Sequence, residues 1–238
     1  MDRAKVDILG YGVDTFCFDD AVDYIYQTHG QIVTINPEMI EYGNKNSEFK
    51  NLINNAELVV PDGIGVKVGL KILGTSVERI PGIDLGKAIL KRAQYLKKTV
   101  ALVGAQQDVI ENAVVNLKFE MPELNIVYYR DGYFTDENEV FQNLLLEKPD
   151  VVLVALGSPK QEFFINSIKN QLPNAIFIGL GGSFDVWAGK VKRAPKIFRS
   201  LGLEWLYRII TEPERIKRVF PTLPLFIFKV IKERLLRK

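Results

Sequence analysis

The chain has 238 residues, of which 47% are hydrophobic and 25% are charged, a balance typical of a globular protein with a substantial buried core. Its single cysteine, Cys17, excludes an internal disulfide framework and favours a reducing compartment. The first residues contain no uninterrupted apolar segment like that of a signal peptide, and no apolar run approaches the roughly 20 residues that span a bilayer. Composition therefore predicts a cytoplasmic protein that meets a membrane only at its surface.

The net charge of +2 conceals an uneven distribution along the chain. Residues 190–238 contain 14 Lys and Arg against 4 Asp and Glu, whereas residues 1–189 contain 17 basic and 25 acidic residues. An acidic body that carries a strongly basic C-terminal segment indicates an anionic partner. Nucleic acid, a membrane surface and a phosphorylated substrate are the three classes that fit.

Apolar runs rich in valine and isoleucine predict β-strands. These runs occupy residues 5–9, 31–35, 57–60, 99–104, 125–129, 150–156 and 175–180. The segments between them have helical periodicity and predict α-helices at residues 19–29, 37–44, 47–54, 64–73, 83–96, 108–119, 136–146 and 159–170. This alternation predicts an α/β fold with a mainly parallel sheet, and its regularity over residues 99–183 predicts a Rossmann-like C-terminal half.

The C-terminal segment predicts a short, basic, α-helical appendage. The composition changes near "GKVKRAP", which places the α/β body at residues 1–194 and the appendage at residues 195–238. Proline interrupts helix interiors, so we expect short helices separated at Pro213, Pro221 and Pro224. An apolar stripe in this segment suits packing on the body or on a second copy in a homo-oligomer; it contains Phe198, Leu201, Trp205, Leu206 and Ile209.

The last predicted helix has two contrasting sides. Its apolar side carries Leu225, Phe228, Ile231 and Leu235, and its basic side carries Lys229, Lys232 and Arg237. This pattern is typical of a helix that lies in a bilayer interface, whereas a nucleic-acid surface more often interleaves polar side chains with the basic ones. We therefore predict peripheral association with the inner face of the cell membrane and no nucleic-acid partner.

Small and polar residues follow several predicted strands directly, which is where open α/β sheets bind ligands. Thr34 and Asn36 end and follow one strand, and Asp62 follows the next within the sequence Pro-Asp-Gly. Pro-Asp-Gly is also a favoured turn sequence for local reasons, so on pattern alone Asp62 is either a turn residue or a functional carboxylate. Gln161 and Asp185 follow later strands and have the same two interpretations.

Several familiar site types are excluded by the residues themselves. The stretch "SFDVWAGKV" fails as a phosphate-binding P-loop because Val191 replaces Ser or Thr, and "GLGGSF" fails as a dinucleotide fingerprint because Phe184 occupies the last glycine position. The chain has one cysteine, one histidine (His29) and no Asp-x-Asp pair, which disfavours a metal site and a nucleophilic triad. Carboxylates remain as bases, and Arg, Lys and loop amides remain as charge stabilisers.

Eight short blocks occur in order along the chain: "TINPEM", "VPDGIG", "RIPGIDL", "LVGA", "DGYF", "VALGSPKQE", "GGSFDVWAGKVKRAP" and "GLEWLYRIITEPER". Together they resemble the WecG/TagA/CpsF family of bacterial glycosyltransferases, and the resemblance covers about residues 7–218. Any one block alone is weak, whereas eight in register are specific.

The resemblance implies a membrane-associated enzyme that transfers a sugar from a UDP-sugar to a polyprenyl-diphosphate-linked acceptor. Teichoic-acid members transfer N-acetylmannosamine to a lipid-linked N-acetylglucosamine. The family pattern also implies an inverting reaction that needs no divalent metal and no cofactor besides the UDP-sugar donor. It assigns catalytic roles to Asp62, as the base, and to Thr34. The candidate substrate contacts are Asn36, Arg79, Tyr133, Gln161, Gly182, Asp185, Arg208, Arg215 and Arg218.

Two other functions remain as alternatives. A nucleotide-dependent oxidoreductase fits the Rossmann-like half, although neither glycine-rich fingerprint is intact. A non-enzymatic adaptor would use the basic C-terminal segment to bind a membrane or a polyanion, and it would not bind UDP. The residues themselves do not indicate which sugar is transferred or which lipid-linked glycan accepts it.

Overall fold

The computed structural model describes residues 4–200, 202–211 and 216–237. Its strands are β1 (Lys5–Ile8), β2 (Tyr11–Asp14), β3 (Gly30–Ile35), β4 (Leu58–Pro61), β5 (Thr99–Gly104), β6 (Asn125–Arg130), β7 (Val151–Ala155) and β8 (Ile176–Gly179). Its helices are α1 (Phe18–Thr28), α2 (Pro37–Gly43), α3 (Ser47–Asn54), α4 (Gly63–Ile72), α5 (Gly82–Tyr95), α6 (Gln107–Glu120), α7 (Glu137–Glu147), α8 (Lys160–Ile168), α9 (Ser183–Trp187), α10 (Lys196–Ser200), α11 (Glu204–Thr211) and α12 (Ile216–Leu236).

Six strands form one parallel sheet in the order β4-β3-β8-β7-β5-β6, while β1 and β2 form a separate antiparallel hairpin. Every neighbouring pair in the large sheet is parallel, so the predicted α/β fold with a mainly parallel sheet is confirmed. Because β3 lies between β4 and β8, the carboxyl ends of these three strands meet at one edge of the sheet.

The register of β3 and β4 brings two candidate residues to the same level. Ile35 pairs with Pro61 at the ends of the two strands. The ladder extends one residue further, because the Asp62 N–H donates to the Ile35 carbonyl oxygen over 2.9 Å. Asn36, directly after β3, and Asp62, directly after β4, therefore emerge side by side.

Helices cover both faces of the sheet, and aliphatic side chains fill both layers. In β7, Val151 and Leu153 face one layer while Val152 and Val154 face the other, and all four are fully buried. A strand that is buried on both faces has an uninterrupted apolar sequence. The sequence therefore predicts β7 although it shows no alternating pattern.

Each strand and helix predicted for the body is present, with ends within one or two residues of those expected. Two short elements were not predicted. β2 is only four residues long, contains Gly12 and pairs with its sequence neighbour β1. α9 spans five residues, which is too short for an amphipathic period to be recognised in sequence.

The expectation that Pro221 and Pro224 separate short helices is wrong. α12 is one helix that runs through both prolines to Leu236. A proline in a helix interior costs about 3 kcal/mol, because it removes a hydrogen bond and crowds the preceding turn. Packing offsets this cost, since Phe226 and Val230 are fully buried in the core cluster that contains α2 and α4 residues.

Two glycines on α4 form the surface on which α12 packs. A Cβ atom on Gly65 would lie 2.8 Å from Leu223 Cδ1, and one on Gly69 would lie 3.1 Å from the Phe226 ring. The absence of these side chains lets α12 approach α4 closely, so that Leu223 reaches the edge of the sheet where the candidate residues lie.

Polar contacts further along α12 hold it against the body. The Lys229 ammonium lies 2.5 Å from the Glu41 carboxylate of α2, and the Leu9 N–H donates to Glu233 over 3.0 Å. Arg237 forms an ion pair with Asp7 at 2.7 Å. Lys229 and Arg237, two of the three residues on the predicted basic side, are therefore used in contacts with the body.

The predicted apolar side of α12 faces away from the protein. Its exposed residues are Leu225, Phe228, Ile231, Leu235 and, beside them, Leu236. We call this set the exposed apolar stripe; it is distinct from the buried stripe that contains Phe226 and Val230. Across the described ranges, no helix is both long enough and apolar enough to cross a membrane.

We expect Gly69→Val to displace α12 from its packing position on α4. The added side chain would collide with Ile8 Cδ1, 2.8 Å from the position of a Cβ, and with Phe226, and such overpacking typically costs about 1–3 kcal/mol. Limited proteolysis should cleave the C-terminal segment faster in this variant. Val68→Leu, a change of volume at a partly exposed position of the same helix, serves as the control. Equal cleavage rates in both variants would contradict the close packing of α12 on α4.

Candidate active site

A cleft of about 440 Å³ opens at the carboxyl ends of β3, β4 and β8. Its walls come from the residues directly after these strands, from the first turns of α2, α4 and α5, and from α11 and α12. Open parallel sheets bind ligands at this position. Six of the candidate residues line the cleft: Thr34, Asn36, Asp62, Arg79, Gln161 and Gly182.

Asp62 occupies the junction between β4 and α4. Gly63 has a φ of +80°, a conformation that favours glycine, so Pro61 and Gly63 make the turn. Asp62 holds the N-cap position of α4, but its carboxylate makes no capping hydrogen bond to that helix. Its Oδ2 atom instead accepts a hydrogen bond from the Gly82 N–H over 3.2 Å. The carboxylate therefore lines the cleft, where the Gly82 N–H holds it in place of a helix-capping hydrogen bond.

The surroundings of Asp62 raise the pKa of its carboxyl group. Burial is the largest cause, and the negative charge of Glu204 acts in the same direction. The Gly82 N–H, the Arg79 guanidinium and the Gly63 N–H oppose the shift. A carboxylate with a raised pKa is a stronger base, which suits proton abstraction near neutral pH.

Thr34 and Gly82 lie next to one another at the floor of the cleft. A Cβ on Gly82 would lie 3.1 Å from Thr34 Oγ1, so a glycine at the start of α5 allows this close approach. Because the Gly82 N–H also binds Asp62, the Thr34 hydroxyl and the Asp62 carboxylate both lie against Gly82. Asn36 caps α2, with its Oδ1 accepting from the Met39 N–H over 3.1 Å, which leaves its amide nitrogen as the group it offers to a ligand.

Gln161 forms the opposite wall of the cleft, and its amide has a defined orientation. Its Oε1 accepts from the Gly181 N–H over 3.0 Å, and its Nε2 donates to Glu162 over 2.8 Å. A Cβ on Gly179 would lie 2.5 Å from Gln161 Nε2, so glycine is required at the end of β8. Burial raises the pKa of Glu162, the residue that fixes this amide. The remaining N–H of Gln161 is the group it offers to a ligand.

Arginine and carboxylate side chains form a chain of ion pairs at the third wall. Arg193 donates two hydrogen bonds to Asp84, of 2.6 and 2.5 Å. Glu204 Oε1 lies 3.7 Å from Arg193 Nε, and Glu204 Oε2 lies 3.8 Å from Arg79 Nη2. Of these two arginines, Arg79 lines the cleft together with Asp62, and its guanidinium can stabilise an anionic leaving group there.

Tyr133 and Asp185 do not line the cleft. The Tyr133 side chain is exposed, and its backbone N–H donates to Asp131. Asp185 is adjacent to the edge, since a Cβ on Gly182 would lie 3.7 Å from Asp185 Oδ2. Arg208 and Arg218 belong to α11 and α12, but their side chains, and the whole of Arg215, lie outside the described residues. Their predicted roles stay predictions.

The sequence did not identify Asp84, Glu162, Arg193 and Glu204 as site residues. Glu204 had one available signal: it is one of only 4 acidic residues in the basic segment after Gly189, and it lies in the block "GLEWLYRIITEPER". Arg193 has no such signal, because nothing in the neighbouring sequence indicates its pairing with Asp84. Within the part of the chain that the structure describes, no group of three or more His, Cys, Asp or Glu side chains is placed to hold a metal ion.

A family model and individual relatives among known proteins indicate the same family. A family model described as "Glycosyl transferase WecG/TagA/CpsF family" matches residues 6–238. A Bacillus spizizenii protein is 38% identical over 96% of this chain and 89% of its own length. Proteins of Bacillus subtilis and Staphylococcus aureus are 40% and 37% identical, over 88% and 98% of this chain and 82% and 94% of their own lengths. All three are named N-acetylglucosaminyldiphosphoundecaprenol N-acetyl-beta-D-mannosaminyltransferase.

Proposed function

Because the chain belongs to the glycosyl transferase WecG/TagA/CpsF family, we propose that it transfers N-acetylmannosamine from a UDP-sugar to an undecaprenyl-diphosphate-linked N-acetylglucosamine. The names of the relatives support the sugar and the acceptor. The product belongs to cell-wall or surface polysaccharide synthesis, in keeping with the teichoic-acid members of the family. The reaction inverts the anomeric centre and uses no divalent metal.

The observation that carries the mechanism is the Asp62 carboxylate, which faces the cleft and does not cap its own helix. The acceptor hydroxyl attacks the anomeric carbon from the face opposite UDP. The new C–O bond forms as the bond from this carbon to the diphosphate oxygen breaks. The hydroxyl proton passes to Asp62, and the bonding electron pair leaves with UDP. Thr34, beside the same Gly82 amide, orients the acceptor hydroxyl.

Charge on the departing UDP requires positive groups or amides in a water-poor cleft. Arg79 supplies a guanidinium, and the N–H groups after β8 lie on the same side as Gln161. Arg208, Arg215 and Arg218 add further positive charge in this proposal, as the family pattern implies. This arrangement lets the protein stabilise the diphosphate without a cation.

The acceptor is a membrane lipid, so the enzyme must work at a bilayer surface. The exposed apolar stripe on α12 supports this part of the proposal, because Leu223 of the same helix lines the cleft. A helix that lies in the interface would bring the mouth of the cleft to the lipid diphosphate. We place the protein peripherally on the inner face of the membrane.

A transfer assay read by mass spectrometry tests the function. A panel of UDP-sugars is offered with a short-chain lipid-diphosphate N-acetylglucosamine, and we expect one added N-acetylhexosamine with UDP-N-acetylmannosamine. Turnover should persist in EDTA. Loss of turnover in EDTA that Mg²⁺ restores would contradict metal independence. A thermal shift with NAD but none with UDP would instead support the oxidoreductase alternative, which the family does not favour.

The raised pKa of Asp62 predicts the acid side of the pH profile. Protonated Asp62 cannot accept a proton, so kcat/KM should rise with pH and level off once the carboxyl group is ionised. Because burial raises this pKa above the ordinary value of about 3.9, the midpoint should lie above about 4. Initial rates from about pH 3 to 9, with circular dichroism at each pH to confirm folding, provide the measurement. A midpoint at or below 4 would exclude Asp62 as the titrating base.

A further inference from the structure

Among the described residues, Glu204 is the acidic side chain that the C-terminal segment contributes to the cleft. It is the first residue of α11 and is only 9% exposed. A carboxylate removed from water is costly unless positive groups compensate for the lost hydration. Its position between Arg79 and Arg193 provides that compensation.

The ion pairs around Glu204 connect four different parts of the chain. Asp84 on α5 binds Arg193 through two short hydrogen bonds, so the Arg193 guanidinium is fixed by the body. Glu204 lies between this fixed guanidinium and the one on Arg79. Arg79 also approaches the Arg199 carbonyl oxygen, with Nη2 at 3.5 Å. Two of the contacts of Arg79 therefore come from residues that follow Pro195.

The charge of Glu204 permits two guanidinium groups to lie near one another, that of Arg79 in the cleft wall and that of Arg193 outside the cleft lining. Without it, Arg79 and Arg193 would repel each other across a partly dehydrated space, where Coulomb interactions are stronger than in water. Arg79 is the partner with no bidentate contact to the body among the described residues. It is therefore the side chain that would move.

We propose that Glu204 is a positioning residue, which holds Arg79 at the cleft wall beside Asp62 and the leaving diphosphate. This inference rests on the glycosyl transfer proposed above and adds a role for a residue of α11. It means that the C-terminal segment delivers a carboxylate as well as basic groups to the site. Displacing α11 would then disturb Arg79 even though Arg79 itself belongs to the body.

Glu204→Gln tests the inference because it removes the charge and keeps the shape. We expect kcat to fall about 10- to 100-fold, the range typical of a misplaced active-site group, while the Kd of UDP changes less than about threefold. Glu204→Asp, which retains the charge, should have a higher kcat than Glu204→Gln. The matched control is Glu120→Gln, which breaks an ion pair with Lys87; neither residue lines the cleft, so kcat should be unchanged.

A double-mutant cycle shows whether Glu204 acts through Arg79. In an Arg79→Gln background, Glu204→Gln should lower kcat by less than about threefold, because the side chain that it positions is gone. An equal loss in both backgrounds would overturn the inference, as would a kcat for Glu204→Gln within twofold of the parent. Thermal denaturation of the four proteins without substrate provides the same cycle independently of turnover.

The pH profile provides a readout that a merely structural role would not change. The charged groups that act on Asp62 among the described residues are Arg79 and Glu204, together with the N–H groups of Gly63 and Gly82. If Glu204→Gln releases Arg79 from the cleft wall, the pKa of Asp62 should rise and the acid limb should move to higher pH, because Arg79 lowers this pKa more strongly than Glu204 raises it. An acid limb that stays in place or moves to lower pH would contradict the inference. A parent protein that transfers no sugar would instead contradict the proposed function, before any variant is compared.

Discussion

Asp62→Asn should lower kcat by about 10²- to 10⁴-fold, the contribution typical of a general base, while the affinity for UDP changes little. Asparagine has nearly the same shape as aspartate and can still accept the Gly82 N–H through its amide oxygen. It has no basic oxygen, so it cannot take the proton of the acceptor hydroxyl. The loss should therefore appear in the chemical step and not in donor binding.

The measurement compares single-turnover rates with UDP affinity from calorimetry. Asp136→Asn is a matched control, because Asp136 caps α7 at the surface and asparagine is an equally good cap. We expect this control to keep the parental kcat. If Asp62→Asn turned over at near the parental rate with UDP binding intact, the assignment of Asp62 as the base would be wrong.

Replacing Phe228 and Leu235 with serine should weaken binding to anionic vesicles by about 10- to 100-fold. Both side chains are about two-thirds exposed, at 66% and 65%, so they can enter a membrane without unpacking the protein. Burying each apolar side chain contributes about 1.5–3 kcal/mol, and partial insertion of two accounts for the expected change. Turnover of a soluble short-chain acceptor should be preserved, because the buried stripe is untouched.

Vesicle co-sedimentation checks this result, with a matched pair of exposed residues on α6 as the control. Val115 and Phe119 are 64% and 87% exposed, and replacing them with serine removes apolar surface of similar size from a different face. An equal loss in both double variants would show nonspecific adhesion and contradict the role of α12. Unchanged binding of the α12 variant would contradict it as well.

Point substitutions are preferable to removal of the whole segment after Ala194. From sequence alone we expect the truncated body, residues 1–194, to stay folded, because the sequence predicts that the segment after it is a separate appendage. The structure argues otherwise, because Phe226 and Val230 belong to the same core cluster as Ile8 and Leu70. Truncation would expose this apolar surface, so a loss of activity would not separate membrane binding from folding.

The sequence by itself determined the strands and helices of the body, the parallel sheet and the family. Each follows from signals that lie close together in the chain: apolar runs, helical periods, and turn residues such as Pro61 and Gly63. It also predicted that Asp62 lies at the ligand-binding edge, because the carboxyl ends of parallel strands share one edge of the sheet. These local signals do not show which distant residues each side chain contacts in the folded protein.

Only the tertiary structure decided which face of α12 is buried and which carboxylate accompanies Arg79. Two apolar stripes run along α12, and the small residues Gly65 and Gly69 on α4 select the one that contains Phe226. Arg193 and Asp84 pair across 109 residues, and Glu204 reaches Arg79 from a helix more than a hundred residues away. Such contacts depend on how the helices and strands pack together. They leave no signal in the sequence around either residue.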